Sequence, residues 1–252
     1  MSSTRSASWS LTTSRSSARS PAEEDDPLDL KELAAAEAVR YVEDGMVVGL
    51  GSGSTASIAI KLIGDKVKAE GLEIVGVPTS KTSDLLGRAV GIRIVDLDDH
   101  PTVDLTIDGA DEVDPRLNLI KGLGGALVRE KIVAAASVVE IIVADESKLV
   151  DYLGQKAPVP VEIVKFSFKT TMRRLTGLGC KPVLRMGGDA PFTTDNGNYI
   201  ADCRFERMDN PTVMESIINN IPGVVDNGLF VGRASKAMIG TRDGIRIIEK
   251  QF

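Results

Sequence analysis

Histidine and cysteine are scarce in this 252-residue chain, which contains one histidine, His100, and two cysteines, Cys180 and Cys203. The cysteines are far apart and lack a paired spacing, so we expect packed thiols rather than a disulfide framework or a zinc site. A Ser-His-Asp triad through His100 stays open, but no Gly-x-Ser-x-Gly elbow supports it. Acid and base chemistry would therefore depend mainly on Asp, Glu and Lys.

Long apolar runs and an excess of positive charge are also missing. No run approaches the roughly 20 apolar residues of a membrane-spanning helix. A net charge of -6 and a pI near 5.0 disfavour a nucleic-acid surface, although a local site for an anionic small molecule is compatible with them. With 42% hydrophobic and 26% charged residues, the composition fits one soluble globular body or two small domains.

The N-terminal segment has a composition that cannot form a core. Residues 1–20 are rich in serine, include three arginines and contain no acidic residue, whereas residues 23–26 are all acidic. Such a composition is typical of an organelle transit segment, here a plastid one over residues 1–26, or of a disordered tail. The second interpretation leaves the protein in the cytoplasm. We assign residues 1–27 to this tail.

Helices and short apolar strands alternate from residue 28 to about residue 157. The first helix is predicted from Leu28 to Val42 and ends at Asp44-Gly45. Strands are predicted at Met46–Leu50, Leu72–Val77, Ile92–Val95, Val103–Ile107 and Val138–Val143. This alternation predicts an α/β fold, a Rossmann-like domain with a parallel sheet over residues 28–157, whose ligands bind at the carboxyl ends of the strands.

A second pattern predicts a small α+β domain over residues 158–231. Strands are expected at Val159–Phe166, Val183–Met186, Tyr199–Phe205 and Val224–Val231, with helices at Lys169–Gly177 and Val213–Asn220. The resulting order β-α-β-β-α-β is ferredoxin-like. Residues 232–252 contain two further apolar runs, which we expect to return to the first domain.

A glycine-rich loop, Gly49–Ala56, lies between a predicted strand and a predicted helix. Its free amides, the helix dipole and the hydroxyls of Ser54 and Thr55 suit phosphate binding, although a tight turn without a ligand has the same signature. Gly51-x-Gly53-x-x-Ala56 also fits a dinucleotide fingerprint. That fingerprint requires an acid at the end of the second strand, where residues 78–80 are Pro-Thr-Ser, so a nicotinamide cofactor is disfavoured. No Walker Gly-Lys-Ser/Thr sequence closes the loop.

Two stretches thirteen residues apart combine carboxylates, an ammonium group and flexible backbone. They are residues 108–112, Asp-Gly-Ala-Asp-Glu, and residues 121–126, Lys-Gly-Leu-Gly-Gly-Ala, with Glu130 nine residues after Lys121. A base, an electrophile and bare amides suit the movement of a proton beside a carbonyl. Taken singly, Asp108 also fits an Asx turn, and Glu130 and Lys148 fit solvated surface residues.

Seven blocks of sequence, in this order, resemble the ribose-5-phosphate isomerase family of the A type. They are GLGSGSTA at 49–56, IDGADEVD at 107–114, IKGLGGALVREK at 120–131, ADESKLV at 144–150, VPVEIV at 159–164, TDNGNYI at 194–200 and IPGVV at 221–225. The resemblance covers nearly all of the chain after residue 28. The sequence around residues 78–80 and 100–101 is similar to the eukaryotic, plant-like branch.

The resemblance implies an isomerase that interconverts ribose 5-phosphate and ribulose 5-phosphate through an enediolate, without metal or organic cofactor, in pentose-phosphate metabolism. It implies that Glu130 carries the proton between C2 and C1, that Lys121 stabilises the enediolate oxygen, and that Asp108 assists ring opening and proton traffic at O1 and O2. The substrate-binding positions that it implies are Lys31, Ser52, Gly53, Ser54, Thr55, Asp108, Gly109, Ala110, Asp111, Lys121, Gly122, Leu123, Gly124 and Lys148. It also implies a homo-oligomer, either a dimer or a dimer of dimers.

Two points stay open at this stage. An exposed glutamate with a pKa near 4.3 is a weak base toward a sugar C–H, so oxyanion stabilisation would have to supply much of the catalysis. A non-catalytic sugar-phosphate sensor would need the glycine loop but not the base. The presence of both Glu130 and Lys121, and the lack of a helix-turn-helix or basic segment, favour the enzyme.

Overall fold

The computed structural model describes residues 27–250, and the expected transit segment at 1–26 lies outside them. The helices are α1 (Pro27–Val39), α2 (Ser54–Glu70), α3 (Lys81–Ala89), α4 (Leu127–Ala136), α5 (Phe168–Thr176) and α6 (Pro211–Asn219), with a 3-10 helix at Glu146–Lys148. The first nine strands are β1 (Val47–Leu50), β2 (Val75–Pro78), β3 (Arg93–Ile94), β4 (Val103–Gly109), β5 (Glu112–Val113), β6 (Leu119–Ile120), β7 (Ser137–Asp145), β8 (Val159–Ile163) and β9 (Lys181–Leu184). The others are β10 (Met186–Gly187), β11 (Ala190–Pro191), β12 (Tyr199–Arg204), β13 (Val224–Asn227), β14 (Leu229–Phe230), β15 (Lys236–Thr241) and β16 (Gly244–Glu249).

Seven strands form the large sheet, in the order β3-β2-β1-β4-β7-β15-β16. Every neighbouring pair is parallel except β15 and β16. This is the doubly wound order, in which the direction of winding reverses between β1 and β4. The prediction of an α/β fold with a mostly parallel sheet is confirmed. None of the helices in residues 27–250 is long and apolar enough to cross a membrane.

Helices cover both faces of this sheet. On one face α1 and α2 bury Ala34, Ala38 and Ile60 against apolar side chains of the central strands. The alanines of α1 lack bulk, so the helix lies close to β15, where the Leu30 carbonyl leaves no room for a side chain at Gly240. On the other face, α4 packs Val133 and Ala134 against the sheet. Apolar contacts with the large sheet therefore fix the position of the helix that carries Glu130.

Four antiparallel strands form the second sheet, in the order β13-β8-β12-β9. With α5 and α6 in the connections, this is the predicted β-α-β-β-α-β arrangement. Both cysteines are buried in its core, as expected for packed thiols. The domain boundaries at residues 158 and 231 stay predictions, although β15 and β16 do pair with the large sheet.

Two predicted strands are interrupted in the structure. The run Val183–Met186 breaks at Arg185 into β9, in the second sheet, and β10, which pairs with β11. The run Val224–Val231 breaks at Gly228 into β13, in the second sheet, and β14, which pairs with β6 in a three-stranded sheet. Gly228 donates to the Pro160 carbonyl (2.7 Å) and accepts from the Lys121 amide (2.9 Å). A Cβ at this position would lie 2.2 Å from the Lys121 carbonyl, so only glycine lets the chain cross here.

Two other differences concern the end of β4 and strands too short to be predicted. β4 continues to Gly109, so Asp108 is the last but one residue of the strand rather than the first residue after it. The pairs β5–β6 and β10–β11 were not predicted, because each strand has only two residues and therefore shows no alternation. The first pair carries Glu112 and directs the chain from β4 back to Lys121.

Candidate active site

The candidate site lies at the carboxyl ends of β1 and β4, where the winding of the large sheet reverses. Neighbouring strands send their following loops to opposite sides at such a point, which leaves a crevice between them. The crevice is lined by Ser52, Gly53, Ser54, Thr55, Gly109, Ala110, Asp111, Lys121, Gly122, Gly124, Glu130 and Lys148. The structure thus brings together residues that four separate stretches of sequence contribute.

The glycine loop after β1 presents backbone amides to this crevice. Gly53 is the N-cap of α2, has a φ of 95° and makes no side-chain cap, so the first amides of the helix stay available to an anion. Lys31 lies beside them, with its Nζ 3.2 Å from Ser54 Oγ. The Ser52 hydroxyl instead bonds to Thr79 and Ser80, at 2.8 Å each. The Ser52 amide is also engaged, by Asp108 Oδ1 at 2.9 Å, so Ser52 lines the crevice without a free donor.

Lys121 is the most deeply buried cation of the site, with 2% of its side chain exposed. Its Nζ lies 3.0 Å from Asp108 Oδ2 and 3.4 Å from Glu130 Oε1, and donates to the Gly109 carbonyl at 2.5 Å. Burial alone would lower its pKa, but Asp108, Glu130 and Glu140 outweigh burial and raise the pKa above its usual range. Lys121 is therefore a permanent ammonium group at the floor of the crevice.

Glu130 is buried, which corrects the expectation of an exposed carboxylate of ordinary pKa. It is 4% exposed, because it lies one turn before Val133 on the face of α4 that packs against the large sheet, next to Lys121. Burial raises its pKa to about 8, against the opposing effect of Lys121 and with a contribution from Asp108. Oε1 faces Lys121, while Oε2 has no hydrogen-bond partner within residues 27–250. One carboxylate oxygen is thus oriented and the other is free to react.

The two aspartates of the site have different surroundings. Asp108 is fully buried behind the crevice wall, and its Oδ1 accepts from the amides of Ser52 (2.9 Å) and Gly109 (2.7 Å). Its roles in ring opening, in proton traffic at O1 and O2 and in contact with the substrate stay predictions. Asp111 lines the crevice and accepts from the Leu123 amide at 2.9 Å, and burial raises its pKa. Asp111 is therefore the aspartate that a ligand would meet.

The backbone after Lys121 turns sharply around the crevice. The Gly125 amide donates to the Gly122 carbonyl at 3.0 Å, and both glycines have positive φ values, of 86° and 100°. Leu123 is partly exposed and its side chain does not line the crevice, so this position can contribute only its backbone. Lys148 reaches the crevice from the 3-10 helix that follows β7.

Three residues near the site were not predicted to matter. Glu112, at 0% exposure, accepts from the amides of Gly154, Lys156 and Ala157, and so holds the segment before β8. Glu140 lies buried on β7 within reach of the Lys121 charge, and Arg185 contacts the glycine turn from the second sheet. Glu140 had a signal in the sequence, a lone acid within an apolar strand. Arg185 had none, since its role depends on tertiary contacts.

Metal ligands are not grouped in the described part of the chain. Residues 27–250 contain no cluster of three or more His, Cys, Asp or Glu side chains that could hold a metal ion. His100 does not line the crevice. The chemistry that this geometry supports is proton transfer by Glu130 next to a charged oxygen, with Lys121 and the loop amides as its electrostatic partners.

Comparisons with known proteins identify the family. The family model of ribose 5-phosphate isomerase A (phosphoriboisomerase A) matches residues 75–244. Ribose-5-phosphate isomerase A of Pyrococcus abyssi is 47% identical over 225 residues, which are 88% of this chain and 98% of that protein. The enzyme of Bacillus mycoides is 50% identical over 220 residues, covering 87% and 99% of the two chains.

A solved structure of an isomerase is also similar to this chain over most of its length. D-ribose-5-phosphate isomerase in complex with phospho-erythronic acid superposes with a TM-score of 0.87 at 46% identity, over 89% of this chain and 99% of that one. The similarity to a plant-like branch stays a prediction. Sequence and structure together place this chain in the ribose 5-phosphate isomerase A family.

Proposed function

We propose that this chain interconverts D-ribose 5-phosphate and D-ribulose 5-phosphate through an enediolate, with Glu130 as the group that carries the proton between C2 and C1. The observation that supports this most strongly is the buried Oε2 of Glu130 at the edge of the crevice, which has no hydrogen-bond partner among residues 27–250, with the Lys121 ammonium 3.4 Å from Oε1. Isomerase activity is what the family of this chain performs; the roles below are the proposal.

Glu130 would remove the proton from C2 of the open-chain aldose and return it to C1. A single carboxylate can perform both transfers, because the two carbons are adjacent and the intermediate is planar between them. Its pKa of about 8 lies close to neutral pH, which suits a group that must both accept and release a proton. The burial found here removes much of the mismatch expected for an exposed glutamate.

Charge on the enediolate oxygen would be stabilised by Lys121 and by the amides of Gly122 and Gly124, while the predicted contact of the Leu123 amide is corrected by its hydrogen bond to Asp111. Lys121 remains protonated because of its carboxylate neighbours, so it supplies a fixed positive charge rather than a proton. Buried, oriented donors of this kind are typically worth a factor of about 10²–10³ in kcat each. Asp108 would hold Lys121 and the Ser52 amide in place, and Asp111 would bind a sugar hydroxyl.

The phosphate would bind to the amides at the start of α2. Residues Gly53, Ser54 and Thr55 combine free N–H groups with hydroxyls, and the helix dipole favours a dianion there. Lys31 and Lys148 are the nearby cations. Gly109 and Ala110 would contact the sugar through their backbone. None of these steps calls for a metal ion or an organic cofactor.

The test is the conversion of ribose 5-phosphate to the ketose by wild type and by Glu130→Gln. The variant keeps the size of the side chain but loses the base, so we expect kcat to fall by about 10³–10⁴ while ribose 5-phosphate still binds. Glu70→Gln, at an exposed position at the end of α2, is the matched control. Wild-type turnover in Glu130→Gln would refute the assignment. Binding without conversion in wild type would favour the sugar-phosphate sensor.

We also propose a homo-oligomer. Large apolar side chains are exposed in and around the second sheet, including Phe166 (88%) in the loop after β8, Val183 (64%) on β9 and Met186 (53%) on β10. Such surfaces are typical of subunit contacts. Light scattering on the purified protein would give the mass in solution. A monomer at micromolar concentration would contradict this part of the proposal.

The compartment depends on residues 1–26. A serine- and arginine-rich segment supports import into a plastid, and its failure to direct import would leave the protein in the cytoplasm. Fusing these residues to a fluorescent reporter distinguishes the two. Plastid fluorescence supports the first, and a diffuse cytosolic signal supports the second.

A further inference from the structure

Arg185 connects the second sheet to the glycine turn of the active site. It lies between β9 and β10, and 12% of its side chain is exposed. Its Nε and Nη2 form a two-pronged pair with the carboxylate of Asp202 on β12, at 2.9 and 2.5 Å. This geometry fixes the plane of the guanidinium group, so the remaining nitrogen has a defined direction.

That remaining nitrogen, Nη1, donates to two consecutive carbonyls of the turn. It lies 2.8 Å from the oxygen of Leu123 and 3.0 Å from the oxygen of Gly122. A trans peptide group is planar, with its N–H opposite its C=O. Arg185 therefore sets the direction of the Leu123 amide, which points to Asp111, and of the Gly124 amide, which belongs to a residue lining the crevice.

The same part of the second sheet also limits how the turn can move. The Arg185 guanidinium lies over the Phe192 ring at 5.9 Å, and Phe192 packs against Gly125 so closely that a Cβ there would lie 2.6 Å from the ring. The turn is thus held between hydrogen bonds on its carbonyls and an aromatic ring against its last glycine. Glycine backbone without such support would sample many conformations.

We propose that Arg185 is a positioning residue for the amides that stabilise the enediolate. It does not line the crevice, so it acts through the peptide groups of Gly122 to Gly124 rather than on the substrate. A positive group on a peptide carbonyl also polarises the amide beyond it and makes that N–H a stronger donor. The inference rests on the proposed function, since it assigns these amides to the enediolate.

The first experiment compares Arg185→Ala with Arg204→Ala. Arg204 is an exposed arginine on β12. It also donates to a backbone carbonyl, but this carbonyl belongs to Lys156 and not to the glycine turn. We expect Arg185→Ala to lower kcat about 10- to 100-fold with KM within about threefold, since misplaced donors affect the transition state most. Arg204→Ala should retain wild-type kcat. Added guanidinium ion should restore part of the activity of Arg185→Ala only.

A binding measurement keeps the inference independent of turnover. Phospho-erythronic acid carries a carboxylate where the enediolate would carry its charge, so its Kd, measured by calorimetry, should rise about 10-fold or more in Arg185→Ala. The Kd of inorganic phosphate, which reaches only the loop at α2, should stay within about twofold. Failure of wild type to isomerise ribose 5-phosphate would count against the proposed function. The two titrations would still show whether Arg185 positions the glycine turn, because they do not depend on turnover.

Two milder variants cover the case in which Arg185→Ala does not fold. Arg185→Lys keeps the charge but loses the fork, and Asp202→Asn keeps the arginine but weakens its anchor. Both should show intermediate losses of kcat and of affinity for phospho-erythronic acid. The inference is overturned if they match Arg204→Ala in both measurements, or if all losses scale with a reduced folded fraction.

Discussion

Individual side chains of the site were predictable in identity but not in environment. Lys121, Asp111 and Glu130 all line one crevice, as the spacing of the two stretches suggested. The burial of Glu130 was not predictable, because helical periodicity alone does not say that its carboxylate packs beside Lys121 and Asp108. The raised pKa follows from that burial, and it changes what the residue can do.

The pH dependence of kcat/KM should therefore report Glu130. The reactive form is the carboxylate, and the pKa of about 8 in the free protein means that its fraction rises with pH up to that value. We expect kcat/KM to increase about tenfold per pH unit between pH 6.5 and 7.5 and to level off above pH 8. Steady-state rates in a constant-ionic-strength buffer would measure this. A profile flat from pH 6 to 9 would mean that the pKa is near its ordinary value.

Glu140 should affect stability in a pH-dependent way. Burial raises its pKa from 4.5 to about 7, outweighing the opposing effect of Lys121, and both of its oxygens lack hydrogen-bond partners within residues 27–250. As pH rises, Glu140 loses its proton at a lower pH in the unfolded chain than in the folded one. The free energy of unfolding therefore falls by up to about 3 kcal/mol between pH 4.5 and 7. Glu140→Gln should remove that loss. Urea unfolding at pH 5 and pH 8 tests this, with Glu70→Gln as the control.

If the free energies of unfolding of Glu140→Gln and wild type differ by the same amount at pH 5 and at pH 8, the assignment is contradicted. Such a result would mean that Glu140 titrates alike in the folded and unfolded chain. The same variant should leave the folded structure of the crevice intact, because Glu140 does not line it.

Among the secondary-structure elements, long periodic segments were predictable and short or interrupted ones were not. The seven-residue strand β4 and the helices α2 and α4 follow from their apolar patterns, and their order predicted the sheet. The break at Gly228 was missed, although Asp226-Asn227-Gly228 is a turn signal between two short apolar runs. The cause is the close approach of the Lys121 backbone, which is a tertiary contact.

Two glycines of the loop after β1 should respond differently to alanine. A Cβ at Gly51 would lie 2.5 Å from both Asp108 Cα and the Ile107 carbonyl, so the loop would have to leave β4. Gly53 has open space around it but a φ of 95°, which strains any other residue. We expect Gly51→Ala to cost about 2–4 kcal/mol and Gly53→Ala about 1–2 kcal/mol.

Urea unfolding of both variants would measure these costs. Gly124→Ala is a suitable control, because nothing lies within 4 Å of its Cβ position and its φ is not positive. Equal losses of unfolding free energy for Gly51→Ala and Gly53→Ala would mean that the loop is not in close contact with β4.

At the scale of the whole molecule, the two sheets share the active site because hydrogen bonds between distant parts of the chain link them. Asp195 accepts from the Lys81 amide at 2.7 Å, Arg129 donates to Asn196 at 2.8 Å, and Arg185 holds the glycine turn. The pattern of the sequence predicted two units but gave no sign of these links, since their partners are distant along the chain. The catalytic geometry depends on them as much as on the strands.

Lys131 on α4 is the most buried of these links, and its loss should reduce cooperativity. Its Nζ contacts Asp226 (2.8 Å), Glu215 (3.2 Å) and the Asn227 carbonyl (2.6 Å), and lies over the Phe230 ring. Removing one member of a buried ion cluster typically costs about 3–5 kcal/mol, because the remaining charges lose their partner. We expect wild type to unfold in one calorimetric transition with equal calorimetric and van't Hoff enthalpies.

Lys131→Met keeps the length of the side chain and its apolar stem but leaves Asp226 and Glu215 without their cation. It should lower the free energy of unfolding by about 3 kcal/mol and separate the two sheets thermally, so that the calorimetric enthalpy exceeds the van't Hoff value. Lys236→Met is the control, because Lys236 pairs with Glu249 on the neighbouring strand of the large sheet and lies over the Tyr41 ring, and neither partner belongs to the second sheet. Two resolved transitions in wild type would show that the sheets are already independent, and that Lys131 does not couple them.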